Sequence, residues 1–315
     1  MKQGGLQAID RMAAGKKRLP VFLSLLAFPA VAWHRAVVET MRLFDKDAFT
    51  YIPLVLMLCA AFFYLCWPQV RKLAAFSVAG GLPFFVLAAA LALGAHLRSR
   101  AMPGDLLLSL RILAVVLCWV GTFILCFGGK AARAALFPLV FLFAAVPLPA
   151  AVLTWIVSQL QTWSALSAMA LYRLAGVPAF RDGVYLSLPG LTIEVAKECS
   201  SIRSSSMLLV TAIGIAQMLL LSPWRRSIVI LSAVPLSVAK NGLRIFTISM
   251  LSVYVDPTYM TGKFHHQGGV VFFAIALALM FLLLWWLRRG ENRSQPEVVP
   301  GGPDAAPGTE LRPKG

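Results

Sequence analysis

The sequence predicts an all-α polytopic membrane protein with about eight transmembrane helices and one interfacial helix. Three observations predict it. Of 315 residues, 59% are hydrophobic and only 13% are charged, where a soluble domain carries roughly a quarter charged residues. The apolar residues gather in blocks of about 20, the length that crosses the hydrocarbon core. The basic residues behind the net charge of +16 stand at the ends of those blocks, where topology and anionic lipid head groups call for them. The charge is thereby assigned to the lipid bilayer, and nucleic acid is not expected as a partner. A β-barrel would need short alternating segments, which are not seen.

Taken in order, residues 1–18 form a basic cytoplasmic lead ending in Lys16, Lys17 and Arg18. No small-residue cleavage site follows a short apolar core, so the lead reads as uncleaved. Apolar blocks follow at 19–38, 49–67, 74–96, 106–128, 134–150, 200–221, 227–250 and 267–287. Arg71 and Lys72 follow the second block, Lys130 and Arg133 the fourth, Arg225 and Arg226 the sixth, and Arg288 and Arg289 the eighth. Alternate connections are thus basic and cytoplasmic. Between residues 173 and 198, Arg173, Arg181 and Lys197 cancel Asp182, Glu194 and Glu198, and residues 252–264 hold only Asp256 and Lys263. Those two connections face outward. The membrane domain is placed at 19–289, and the Pro-, Gly- and charge-rich tail 290–315 reads as a disordered cytoplasmic end.

One stretch decides the parity. From Ala134 to Tyr172 there is no Asp, Glu, Lys or Arg. Two spans would fit, with Pro147 and Pro149 as the turn, but a second span would place Arg225 and Arg226 outside. The preferred reading is one span to about Pro149, then a helix 150–172 along the outer interface. Its Trp155, Gln159, Gln161, Thr162, Trp163 and Ser164 suit that position.

Three clusters then fall near the outer face, where ionisable groups in or beside spans point to function. Cys199 opens the sixth span, where the helix dipole and free N–H groups favour thiolate. Arg203 lies one turn on, and Glu198 and Ser200 flank the thiol. Lys240, Asn241 and Arg244 lie near the outer end of the seventh span, where an inward Arg can hold a carboxylate or an oxyanion. His265 and His266 precede the eighth, and either can move a proton. Adjacent histidines point apart on a helix, so no metal is assigned to them, and no cofactor is expected. The bland readings are interfacial anchors for the cations and a small buried hydrophobe for the thiol, as for Cys59, Cys66, Cys118 and Cys126. A nucleophile, an electrostatic stabiliser and an acid/base on three successive spans are together the set that acyl transfer requires.

These residues resemble the exosortase/archaeosortase family. Cys199-Ser200-Ser201-Ile202-Arg203, Asn241-Gly242-Leu243-Arg244, and His265 followed by Gly269 and Phe273 are similar to its three motifs, with Ser201 where many members have Gly. The Gly and Phe spacing selects His265 over His266. Phe137-Pro138 with Pro147 and Pro149, and the segment from Arg181 to Pro189, resemble further family elements, so that the likeness covers about residues 50 to 287. The resemblance implies a cysteine endopeptidase or transpeptidase of the inner membrane with Cys199, Arg244 and His265 as its triad. Its implied substrates are secreted proteins with a C-terminal sorting signal: a Pro-Glu-Pro-type motif, a transmembrane helix and a basic end. An amine acceptor at the cell surface, or water, would resolve the thioester. The rival reading is a permease or assembly scaffold for surface polymers, in which Lys240 and Arg244 bind an anion and Cys199 is incidental.

Overall fold

The computed structural model describes residues 20–195, 202–256, 258 and 269–293. Ten α-helices are present among them: α1 (Pro20–Ala32), α2 (His34–Leu43), α3 (Ile52–Leu73), α4 (Val78–Leu97), α5 (Gly104–Ala134), α6 (Leu136–Phe141), α7 (Ala150–Leu174), α8 (Ile202–Leu219), α9 (Pro223–Tyr254) and α10 (Gly269–Arg293). Six of the described helices are long and apolar enough to cross a membrane, or eight spans result if each of two bent pairs counts as one. The polytopic all-α architecture read from the apolar blocks is the observed one.

The first block is not a straight helix. It breaks at Trp33, and α1 and α2 meet at 78°. The reason is compositional: His34, Arg35, Glu39 and Arg42 all fall in α2, and a helix so charged cannot continue through hydrocarbon. α2 instead turns Ala36 and Thr40 inward, and Ala36 packs with Leu108 and Ile112 of α5.

The fifth block is also bent, and its geometry bears on the parity of the chain. α6 and the 3₁₀ turn Leu142–Ala145 run back along α5. Leu139 packs with Phe123 and Phe127, Ala145 clusters with Val116, and the Ala150 amide donates to the Asp105 carboxylate at 2.6 Å. The segment therefore travels from one end of α5 to the other. Four residues outside helix, 146–149, supply the reach, because extended chain advances about 3.3 Å per residue against 1.5 Å in a helix. α7 then leaves at 92°.

α9 is the hub of the C-terminal half. α8 and α10 pack against it in the opposite direction, as the pairs Lys240 with Ser204 and Ser237 with Ser205 show for α8. On α10, Gly269 meets Arg244 and the Leu287 carbonyl accepts from Arg225. α7 runs in the same direction as α9. The bonds Ser164–Asn241 and Tyr172–Ser249 have the same sequence separation of 77, which fixes the register over two turns.

A three-stranded antiparallel sheet follows α7: β1 (Phe180–Asp182), β2 (Tyr185–Leu188) and β3 (Leu191–Glu194). Leu186 pairs with Arg181 and with Ile193. Gly183, at φ 59°, and Gly190, at φ 78°, make the two tight turns, which demand positive φ. Leu186, Leu188 and Ile193 form one buried face, packed with Tyr172 and Ile245. The sheet caps the ends of α7 and α9 and hands the chain on to α8.

Candidate active site

The site is built outward from α9. Its residues 240, 241 and 244 divide between two faces. Asn241 is buried at 1% exposure and donates through Nδ2 to Ser164 Oγ at 2.9 Å, which ties α9 to α7. Gly242 makes that approach feasible. A Cβ at 242 would sit 2.3 Å from Ser167 Oγ and 2.5 Å from Ser167 Cβ, too close for any side chain.

Lys240 and Arg244, one turn apart, face the other way. Both line a cavity of about 910 Å³ bounded by α7, α8, α9, the start of α10 and the α2–α3 loop. Lys240 is 7% exposed, and its Nζ donates to Ser204 Oγ on α8. Arg203 stands on the rim, where its Nε meets Asp47 Oδ1 at 3.2 Å. That pair bridges α8 to the α2–α3 loop. The Arg244 guanidinium reaches α10: both Cζ and Nη1 lie 3.8 Å from the position a Cβ on Gly269 would take. Phe272 and Phe273 supply apolar wall beside it.

Cys199, Ser200 and Glu198 lie outside the described residues, as do His265 and His266. The described chain on either side of both segments can be placed. Val195 accepts from Gln161 Nε2 at 2.8 Å through its carbonyl and donates its amide to the Val184 carbonyl at 2.9 Å. Ile202 and Gly269 line the cavity directly. Thus α8 and α10 both begin at the cavity that holds Lys240 and Arg244. Arg203, Lys240 and Arg244 are brought together there, while Asn241 faces α7 instead.

Two contributors were not singled out in the sequence. Asp47 pairs with an arginine on a helix remote in the chain, and nothing local announces that partner. The sequence marks Gln161 only as an interfacial polar residue. A buried amide in an apolar helix was the available signal, since such a group needs a partner. Beyond α9, Asp256 accepts from the Thr258 amide at 2.8 Å, and this bond holds its carboxyl below the usual range.

Among the described residues, no three His, Cys, Asp or Glu side chains gather as a metal site would require. What gathers is cationic. Two guanidinium groups and a buried ammonium face one hollow, an arrangement able to hold a carboxylate or a developing oxyanion.

The family model of the transmembrane exosortases matches the chain over residues 19–282. No curated protein and no solved structure matches it.

Proposed function

The chain belongs to the transmembrane exosortase family, a family of membrane transpeptidases and proteases, and from that premise we propose that it cleaves C-terminal sorting signals of secreted proteins through a thioester on Cys199. The observation that carries this reading is the cavity. Arg244 lines it, and the two helices that follow the Cys199 and His265 segments both start on its wall.

The substrate's apolar tail helix docks among the spans and brings its scissile bond to the cavity. The Cys199 thiolate attacks the carbonyl carbon, and Arg244 stabilises the resulting oxyanion. His265 gives a proton to the leaving amine as the C–N bond breaks, and the acyl group remains on sulfur. The amine of a surface acceptor then attacks the thioester, restoring the thiol and forming a new amide. Water in the acceptor's place makes the same reaction a proteolysis. The protein sits in the inner membrane with both termini cytoplasmic and the cavity facing the periplasm.

Replacement of Cys199 by Ala tests this in cells that carry a tail-bearing secreted protein. The expected result is accumulation of the uncleaved precursor with normal amounts of the variant in the membrane. Continued processing would favour the permease or scaffold reading, in which the thiol has no part.

A further inference from the structure

The described walls of the cavity hold more positive charge than they neutralise. Lys46, Arg203, Lys240 and Arg244 line it, and Asp47 is the one carboxylate among the described lining residues. Asp47 is engaged with Arg203 at the rim, and their side chains remain 63% and 55% exposed. Lys240 is in a different position. It is 7% exposed, and its hydrogen bond goes to a neutral hydroxyl, Ser204 Oγ. The other described residues that line the cavity, among them Arg203 on α8, Ser158 and Gln161 on α7, and Gly269 and Phe273 on α10, bring no carboxylate besides Asp47. An ammonium withdrawn from water ordinarily takes a carboxylate with it. Lysine carries three N–H donors, and among the described residues Ser204 takes one of them.

Resting on the reading of this cavity as the peptide-cleaving site, we propose that Lys240 takes the carboxylate of an acidic side chain beside the scissile bond, leaving Arg244 to the reacting carbonyl. Lys240 is then a specificity-determining residue: it selects which peptides occupy the cavity. Ser204 holds the ammonium at the wall, and the cavity is roomy enough, at about 910 Å³, to admit an extended peptide segment.

The test is binding, so that it stands apart from the chemistry. The full chain with Cys199→Ala is placed in nanodiscs of phosphatidylcholine. The probes are synthetic peptides with an apolar helix and a basic end, differing by one Glu, Gln or Lys in the segment before the helix. With Lys240 intact, the Glu peptide binds about tenfold or more tighter than the Gln peptide, the worth of a charge-assisted hydrogen bond, and the Lys peptide binds weakest. Lys240→Gln removes the Glu preference, Lys240→Arg keeps it, and Ser204→Ala keeps most of it. Equal binding of the Glu and Gln peptides, or a Glu preference that survives Lys240→Gln, overturns the proposal. The peptide series on intact Lys240 reads this even if Lys240→Gln fails to fold. Nanodiscs with added phosphatidylglycerol distinguish the other source of an anion. A Glu preference that persists with that lipid present supports the peptide carboxylate, and its loss there assigns Lys240 to a lipid phosphate and overturns the proposal. A Glu preference in binding, with no cleavage by the unsubstituted chain, keeps the subsite and overturns the protease reading instead.

Discussion

The guanidinium of Arg244 stands one helical turn from a buried ammonium and within van der Waals reach of the first residue of α10. Its planar fork can present two N–H groups to one oxygen, which a lysine cannot do. Arg244→Lys keeps the charge and removes the fork. In membrane vesicles, the rate of tail cleavage is expected to fall about 10²- to 10³-fold, the usual loss on removing an oxyanion donor, with the protein's abundance unchanged. A loss of less than about threefold would assign Arg244 to binding or structure rather than to the oxyanion. At this scale the sequence was informative in part. Lys240 and Arg244 were legible as a pair because helical spacing puts residues four apart on one face. Asn241 was legible as important but not for what it touches. Its partner Ser164 is 77 residues away, and no local pattern joins them.

At the scale of elements, the contact between α7 and α9 positions everything else. It fixes the register that turns Lys240 and Arg244 toward the cavity, and it supports the sheet that leads toward Cys199. Gly242→Ala drives a methyl into Ser167. The expected destabilisation is about 1–3 kcal/mol, as for other overpacked sites, read as a lowered melting temperature in detergent together with reduced cleavage. Ser167→Gly in the same chain removes the atoms met first and is expected to recover part of both. No change on Gly242→Ala would mean that α7 and α9 are farther apart than described. Span length was the legible part of these elements, since an apolar run of sufficient length states its own role. The break at Trp33 is hidden because the apolar block runs on through His34 and Arg35, where the charges begin. The sheet was hidden for a different reason. Its strands have three or four residues, too short for periodicity to register, although the turn pairs Asp182-Gly183 and Pro189-Gly190 were there to be read.

At the scale of the whole molecule, the orientation hangs on the stretch without charges. α6 returns along α5, a 92° bend leads into α7, and α7 then runs beside α9; one crossing between Ala134 and Pro149 is the count we propose. On that proposed count, Lys16, Arg71, Lys130, Arg225 and Arg288 would share the cytoplasmic side, and the cavity would open to the periplasm. A membrane-impermeant maleimide, applied to intact spheroplasts of a chain whose other cysteines are replaced by Ala, is therefore expected to label Cys199. Labelling only after permeabilisation would invert the orientation and make α7 a further span. The family match covers the same membrane body, residues 19–282, and the cavity lies within it.

The proposed chemistry turns on one sulfur atom, that of Cys199. Its most direct measurement is mass spectrometry of the unsubstituted protein, quenched with acid during turnover of a tail-bearing substrate while the amine acceptor is withheld to slow resolution. The prediction is an acyl adduct of the substrate's cleaved segment on Cys199, released by neutral hydroxylamine as a thioester is. Substrate cleaved at a normal rate with no adduct on Cys199, or an adduct on another residue, would contradict it.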